Sequence, residues 1–295
     1  MPLVLLAHAG APLAPHDLWT AWGAEPGSWA VLLAGGWLYA RGAARLWRRA
    51  GPGRGVRRWE AGSFAAGWAA LVLALASPLH PLGEALFSAH MVQHELLMVV
   101  AAPLLVLGRP VVPLLWALPV PGRRALGGWA KGPAVRGAWG AVSGPTGAWL
   151  LHGAALWIWH VPALYALSVR SGAAHAAQHA AFLGTALVFW WAVLPVWRRR
   201  TGHGAAVFAL FATVVHSGAL GALLTVAPRP LYPVSDAAAA AWGLTPLEDQ
   251  QLAGLVMWVP AGLAYAVAGL VLAVGWLRES ERRAARWQRR ALSVT

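Results

Sequence analysis

The sequence predicts an all-α fold, a polytopic membrane bundle of seven transmembrane helices, and three observations predict it. Of its 295 residues 59% are hydrophobic before the 33 glycines are counted, and only 11% are charged. Soluble domains are roughly 25% charged, and a water-facing surface with so few charges would be one apolar patch. Second, apolar stretches long enough to cross the hydrocarbon layer as helix recur seven times, at 24–40, 61–79, 85–108, 146–168, 172–196, 203–227 and 249–277. Third, the basic residues fall in alternate loops, as the positive-inside rule requires.

The first stretch, 24–40, is the weakest and runs into Arg41 and Arg45. The other six are rich in Ala, Gly, Leu and Val, small residues that let helices approach closely in lipid, so a compact bundle is expected. Between the first and second stretches lie Arg41, Arg45, Arg48, Arg49, Arg54, Arg57 and Arg58. Arg109, Arg123, Arg124, Lys131 and Arg136 follow the third, Arg198, Arg199 and Arg200 the fifth, and the remaining arginines, from Arg278 on, the seventh. Only Arg170 and Arg229 belong to the opposite side, which puts the N-terminus outside and the C-terminus in the cytoplasm. MPLVLLAHAG, with no basic residue ahead of its apolar run, reads as an outside tail rather than a signal peptide. The 109–145 loop is too proline-rich to span and carries Trp116, Trp129 and Trp139 among its basic residues, so it is expected along the inner interface. No repeat or soluble domain stands out, and residues 1–295 read as one integral membrane domain with membrane lipid as solvent.

The net charge of +13 is spent on orientation, in short blocks between apolar stretches, so no nucleic-acid partner is expected. The chain has no cysteine, which excludes disulfides, thiolate metal sites and cysteine nucleophiles. Nor does it hold a phosphate-cradling glycine loop or a G-x-S-x-G elbow, and no catalytic residue is assigned.

Ionisable residues inside lipid are costly and mark function. The eleven histidines crowd toward the outer face: His90 and His94 open the third stretch, His175 and His179 the fifth, and His80 ends the second. His160 lies in the outer half of the fourth and His216 near the middle of the sixth, while His152 and His203 belong to the inner half. His90-x-x-Gln93-His94 and His175-x-x-Gln178-His179 are i, i+4 pairs, which place two imidazoles on one helix face, the spacing by which a helix offers two ligands to one metal. Packed histidines bonded to loop carbonyls are the alternative. Met91, His94 and Met98 share a stripe, and Met257 lies on the seventh helix. Imidazole with thioether suits copper as Cu(I), whereas zinc more often recruits a carboxylate. Asp249 and Gln250 open the seventh helix, where the carboxylate would steer a cation, orient a histidine or cap the helix, and Glu95 lies within the third.

Several longer runs then resemble a known family. His90-Met91-Val92-Gln93-His94, Ala102-Pro103-Leu104-Leu105, Leu107-Gly108-Arg109-Pro110, Trp159-His160-Val161-Pro162-Ala163-Leu164-Tyr165, Phe189-Trp190-Trp191 and Asp249-Gln250-Gln251-Leu252-Ala253-Gly254 with Met257-Trp258 are similar to the CtaG family of cytochrome c oxidase assembly proteins. The likeness runs from about His16 to about Trp276. It implies a multi-pass protein of the bacterial plasma membrane, not an enzyme, that helps assemble a copper-containing oxidase by delivering copper. Its partners would be oxidase subunits and an outside copper donor protein.

The metal ligands expected on the first reading are His90, His94, His175 and His179, with His160, His216, Met257 and Asp249 to complete or relay the site. Four imidazoles overfill a Cu(I) centre, so two sites or a transfer path are both open. A haem-binding cytochrome or haem transporter, with axial histidines from the third and fifth helices, is the second reading. An intramembrane zinc hydrolase, with Glu95 or Asp249 as base, is the third.

Overall fold

The computed structural model of the chain describes residues 13–22, 26–194, 203–233 and 235–292, and these fold as helices with no strand among them. The MPLVLLAHAG tail and the Arg198–Arg200 block lie outside the described residues. In chain order the helices are α1 (Pro26–Ala50), α2 (Arg58–Ala76), α3 (Leu79–Ala85), α4 (Phe87–Leu107), α5 (Val111–Ala117), α6 (Val120–Ala130) and α7 (Pro133–Val142). Then come α8 (Pro145–Trp159), α9 (Pro162–Arg170), α10 (Gly172–Val193), α11 (His203–Val226), α12 (Asp236–Ala241) and α13 (Pro246–Leu292).

Among the described residues five helices are long and apolar enough to cross a membrane: α2, α4, α10, α11 and the Pro246–Arg282 part of α13. The bent pair α8–α9 makes a sixth if it is one span. The expected fourth span, 146–168, is therefore broken: its halves meet at 74°. The cause is Pro162, which pushes Val161 out of the helical region (φ −64°, ψ 126°) and opens α9 as its first residue. The expected first span is also different in kind. α1 is 25 residues long, but Gly35, Gly36 and a half rich in arginine dilute its apolar content, and it does not stand with the five. The last helix overruns the expected 249–277 at both ends: it starts on a Thr245–Glu248 capping box and continues to Leu292.

Glycines set the closest approaches. A Cβ on Gly221 would meet the Gly254 carbonyl at 2.9 Å, so α11 and α13 touch backbone to backbone. At the other end of the bundle Gly42 admits the Pro113 carbonyl of α5 against α1. The 109–145 segment is folded there as three short helices. Arg45 Nη1 donates to the Ala117 carbonyl (2.7 Å), and Arg123 and Arg49 stack on Trp116 at 4.6 and 5.9 Å. Buried Glu60 pairs with Arg109 (3.6 Å) and accepts from Arg57 N–H (2.7 Å). The α6 and α7 segments bury nothing, which agrees with a position on the surface.

One irregularity bears on the site. Residues Leu96–Ala101 of α4 form a π turn, with Ala102 N–H reaching back five residues to Leu97. The next bond of that kind would run from residue 103 to Met98, but Pro103 has no N–H, and Trp190 Nε1 of α10 donates to the Met98 carbonyl instead (2.8 Å).

Candidate metal centre

Three helix beginnings and one helix end supply the site. Leu86 is extended, so α4 starts at Phe87 and puts His90 and His94 in its first turns. Ser171 caps α10 by accepting from Ala174 N–H (3.4 Å), which puts His175 and His179 in the first two turns of that helix. α8 stops at Trp159, leaving His160 at the break, and the short α3 carries His80 and Glu84.

These elements bring the two predicted pairs together. Ring centroids lie 4.3 Å apart for His90 and His94, 4.2 Å for His175 and His179, 5.2 Å for His90 and His175, and 5.4 Å for His94 and His179. Ring nitrogens of His90, His175 and His179 all fall within 4.8 Å of one another. His160 approaches from the side at 6.4 Å from His94. All five are buried, none more than 8% exposed.

Their nitrogens are mostly without protein partners. His90 Nε2, both ring nitrogens of His94, and the Nε2 atoms of His160, His175 and His179 are buried and have no hydrogen-bond partner among the described residues. At roughly 1–3 kcal/mol for each unsatisfied buried group, six such atoms cost on the order of 6–18 kcal/mol, as much as a whole fold's net stability. His160 shows how one is prepared. Its Nδ1 lies 2.7 Å from the Leu156 carbonyl, which can only accept, so the proton is on Nδ1 and the lone pair is on Nε2. The Tyr232 hydroxyl donates to the His160 carbonyl (2.7 Å), and burial pushes that phenol up to about 12, so it stays a donor at neutral pH.

The other expected ligands are elsewhere. His216 sits against Trp149 (5.9 Å between rings) and Gly153 of α8, about two turns from His160. Met257 packs with Phe87, Met91, Tyr165 and Leu224 in an apolar cluster, and it is Tyr165 of that cluster that meets His90, edge-on at 5.3 Å. Met98 lies in a different core with Phe182 and Trp190, so the Met91–His94–Met98 stripe is split. Asp249 is fully buried and caps a helix, but not its own: it accepts from Phe87 N–H (2.7 Å), Ser88 N–H (3.0 Å) and the Ser88 hydroxyl at the start of α4. Gln250 beside it accepts from Leu231 N–H (2.5 Å) and pins the 227–233 connection over the site.

Three participants lie outside the expected ligand set. His80 stacks on His175 at 5.5 Å, and its Nε2 is 3.8 Å from a carboxylate oxygen of Glu84. Ring and carboxylate atoms of His80, Glu84 and His175 form a second group within 4.8 Å. Gln93 donates to the Ala74 carbonyl (2.8 Å) and reaches His80 Nδ1 at 3.4 Å, tying α2, α3 and α4 at the site. The i, i+4 spacing of His80 and Glu84 was the available signal. Below the imidazoles an apolar cavity of about 390 Å³, lined by Trp68, Leu71, Leu97 and Leu183, reaches His179.

Neutral imidazoles in this density are a donor set for a soft or borderline cation. Comparisons with known proteins speak to the biological setting. An uncharacterized protein of Mycobacterium bovis is 30% identical over 277 residues, covering 90% of this chain and 40% of its own length. An uncharacterized protein of Mycobacterium leprae is 29% identical, with 91% and 41% covered. The chain thus spans well under half the length of the curated relatives it matches. No solved structure matches it significantly. The family model described as cytochrome c oxidase caa3 assembly factor matches residues 37–279. With its long apolar helices this is a multi-pass protein of the bacterial plasma membrane, and the chain belongs to the cytochrome c oxidase caa3 assembly factor family.

Proposed function

We propose that this member of the family serves oxidase assembly without catalysis, by handling copper at the outer face of the membrane and passing it toward an oxidase subunit. One observation carries the reading: four imidazoles from two helices, with a fifth beside them, meet in a buried cluster in which six ring nitrogens have no hydrogen-bond partner among the described residues. A set of neutral nitrogen donors without a carboxylate suits Cu(I), and an overfilled set allows the ion to change partners rather than stay. The resident ligands on this reading are His90, His94, His175 and His179, with His160 completing the shell. His216 and Met257 serve packing, and Asp249 holds α4 in place. An outside copper donor protein and an oxidase subunit are the partners.

The topology belongs to the same proposal. α1 is the seventh crossing, and the histidine end of the bundle, which has only Arg170 and Arg229 near it, faces outside. Direct packing of the imidazoles of α4 on those of α10 favours a small ion over haem, since a porphyrin needs a slab of space between the facing rings. Engagement of both Asp249 oxygens removes one of the two bases a zinc hydrolase would use.

The test is metal analysis and a visible spectrum of the full chain purified in detergent, followed by His94→Ala and His179→Ala. Copper without a Soret band is expected, with retention lowered on the order of tenfold or more in both variants and unchanged in His216→Ala. A Soret band, or zinc in place of copper, overturns the reading, as does wild-type copper retention in both histidine variants.

A further inference from the structure

His90 and His94 are almost sealed, 2% and 1% exposed, and residues between them and the surface form a metal-ligating group of their own. We propose that His80, Glu84 and His175 are a loading site that takes a copper ion from the outside solution and hands it to His90 and His179, with His175 a ligand at both stations. This rests on the copper reading above and adds the route of arrival.

Exposure falls in steps along this path. The Glu84 side chain is 63% exposed, that of His80 13%, and His90 is 2% exposed. His80 and Glu84 sit one helical turn apart on α3, so their reactive atoms face the same way, and His175 of α10 completes the group. The two groups of metal-ligating atoms, His80–Glu84–His175 and His90–His175–His179, each lie within 4.8 Å and share His175 alone. The stacking of His80 on His175 at 5.5 Å and of His175 on His90 at 5.2 Å makes a continuous column of rings from the surface inward.

The donors also change along the column in the direction that drives transfer. The outer group includes the exposed Glu84 side chain, an oxygen donor that draws a cation from solution and raises its capture rate. The inner group is all imidazole, which a soft ion prefers once water is left behind. In the transfer, bonds from the ion to the Glu84 carboxylate and the His80 ring break as bonds to His90 and His179 form. The bond to His175 persists, no proton moves, and the oxidation state of the ion is unchanged. Because His175 is shared, a chain holds one ion in the two sites at a time.

The position of α3 is suited to this role. Gly83 lets α3 press onto α4, where a Cβ would collide with the Gln93 side chain, and Gln93 in turn contacts His80. His80 is therefore fixed relative to His90 on α4 by contacts that need no metal.

The experiment uses the full chain in detergent, stripped of metal and then given Cu(I) anaerobically from a chromophoric chelator, so that loading is read as absorbance against time and retention as copper left after the chelator is removed. Wild type is compared with Glu84→Gln, His80→Gln, His175→Ala and His16→Ala, the last an exposed histidine outside the site. Glu84→Gln and His80→Gln are expected to slow loading on the order of tenfold while final retention stays close to wild type. His175→Ala is expected to lose both, and His16→Ala neither. Loading at the wild-type rate in both α3 variants overturns the loading site and leaves the buried centre standing. Retention falling in parallel with rate also overturns it, because the two groups would then be one site. A wild-type chain that takes up no copper overturns the proposed function itself.

Discussion

Replacing Asp249 should loosen the end of the bundle that carries the histidines, and three hydrogen bonds set the size of the effect. The carboxylate accepts from the backbone of Phe87 and of Ser88 and from the Ser88 hydroxyl, and Leu86, which precedes α4, offers no side-chain acceptor of its own. Hydrogen bonds to a charged group contribute roughly 1.5–3 kcal/mol each, so three amount to about 4–9 kcal/mol. Removing the carboxylate also relieves the cost of burying its charge, which leaves a net loss of about 3–5 kcal/mol for Asp249→Ala, the usual result of breaking a buried charged contact. Asp249→Asn retains one acceptor oxygen and should lose about 1–3 kcal/mol. The assay is thermal unfolding in detergent followed by the intrinsic fluorescence of the twenty tryptophans, with copper measured per folded chain. The alanine variant should melt on the order of 10 °C lower, with the asparagine variant between it and wild type. Copper per folded asparagine variant should be unchanged, because both oxygens of Asp249 are already committed to α4. An unaltered melting temperature for Asp249→Ala would refute the capping role. So would copper loss from Asp249→Asn at wild-type stability, which would make the residue a ligand.

Single cysteines placed at Arg54, Arg124, Leu82 and Ser235 should report the topology: the first two label only from the cytoplasm and the last two from outside, and label reaching Arg54→Cys from outside would sink the outer location of the histidines. Gly254→Leu should part α11 from α13, since even its Cβ would overlap the Gly221 carbonyl and Thr225. Overpacking of this kind costs roughly 1–3 kcal/mol, so an unchanged melting temperature would show that the helices can slide apart freely.

The all-helical membrane fold was legible because composition alone forbids a water-soluble surface, and the pairing of His90 with His94 and His175 with His179 was legible because helical spacing is a local property. What was not legible is whatever depends on which helices meet. Nothing in one sequence says that the first turns of α4 and α10 face each other, so the joining of the two pairs came only with the fold. Asp249 shows the same limit more sharply. A carboxylate near the start of a helix is read as that helix's cap, yet Thr245 and Glu248 already cap α13, and Asp249 serves α4 across 162 positions of chain. The break at His160, by contrast, had a local sign in Pro162, and His80 with Glu84 had one in their spacing. Both signs are local, but a single proline or a short helix leaves a fainter mark in a sequence than a long apolar run does.

The π turn of α4 has a local cause as well. In Leu96–Ala101 the backbone widens so that Ala102 N–H reaches back to Leu97. Pro103 favours this widening, because an α-helix through residue 103 would lack a bond in any case, and Trp190 of α10 satisfies the Met98 carbonyl that the π turn exposes. The bond joins α4 to α10 one turn beyond His94, and these are the two helices that carry the paired imidazoles. Met98 packs there in the apolar core around Phe182 and Trp190, and Phe182 meets His94 at 4.5 Å. The irregular turn thus gives the two helices of the site a fixed contact directly beneath it.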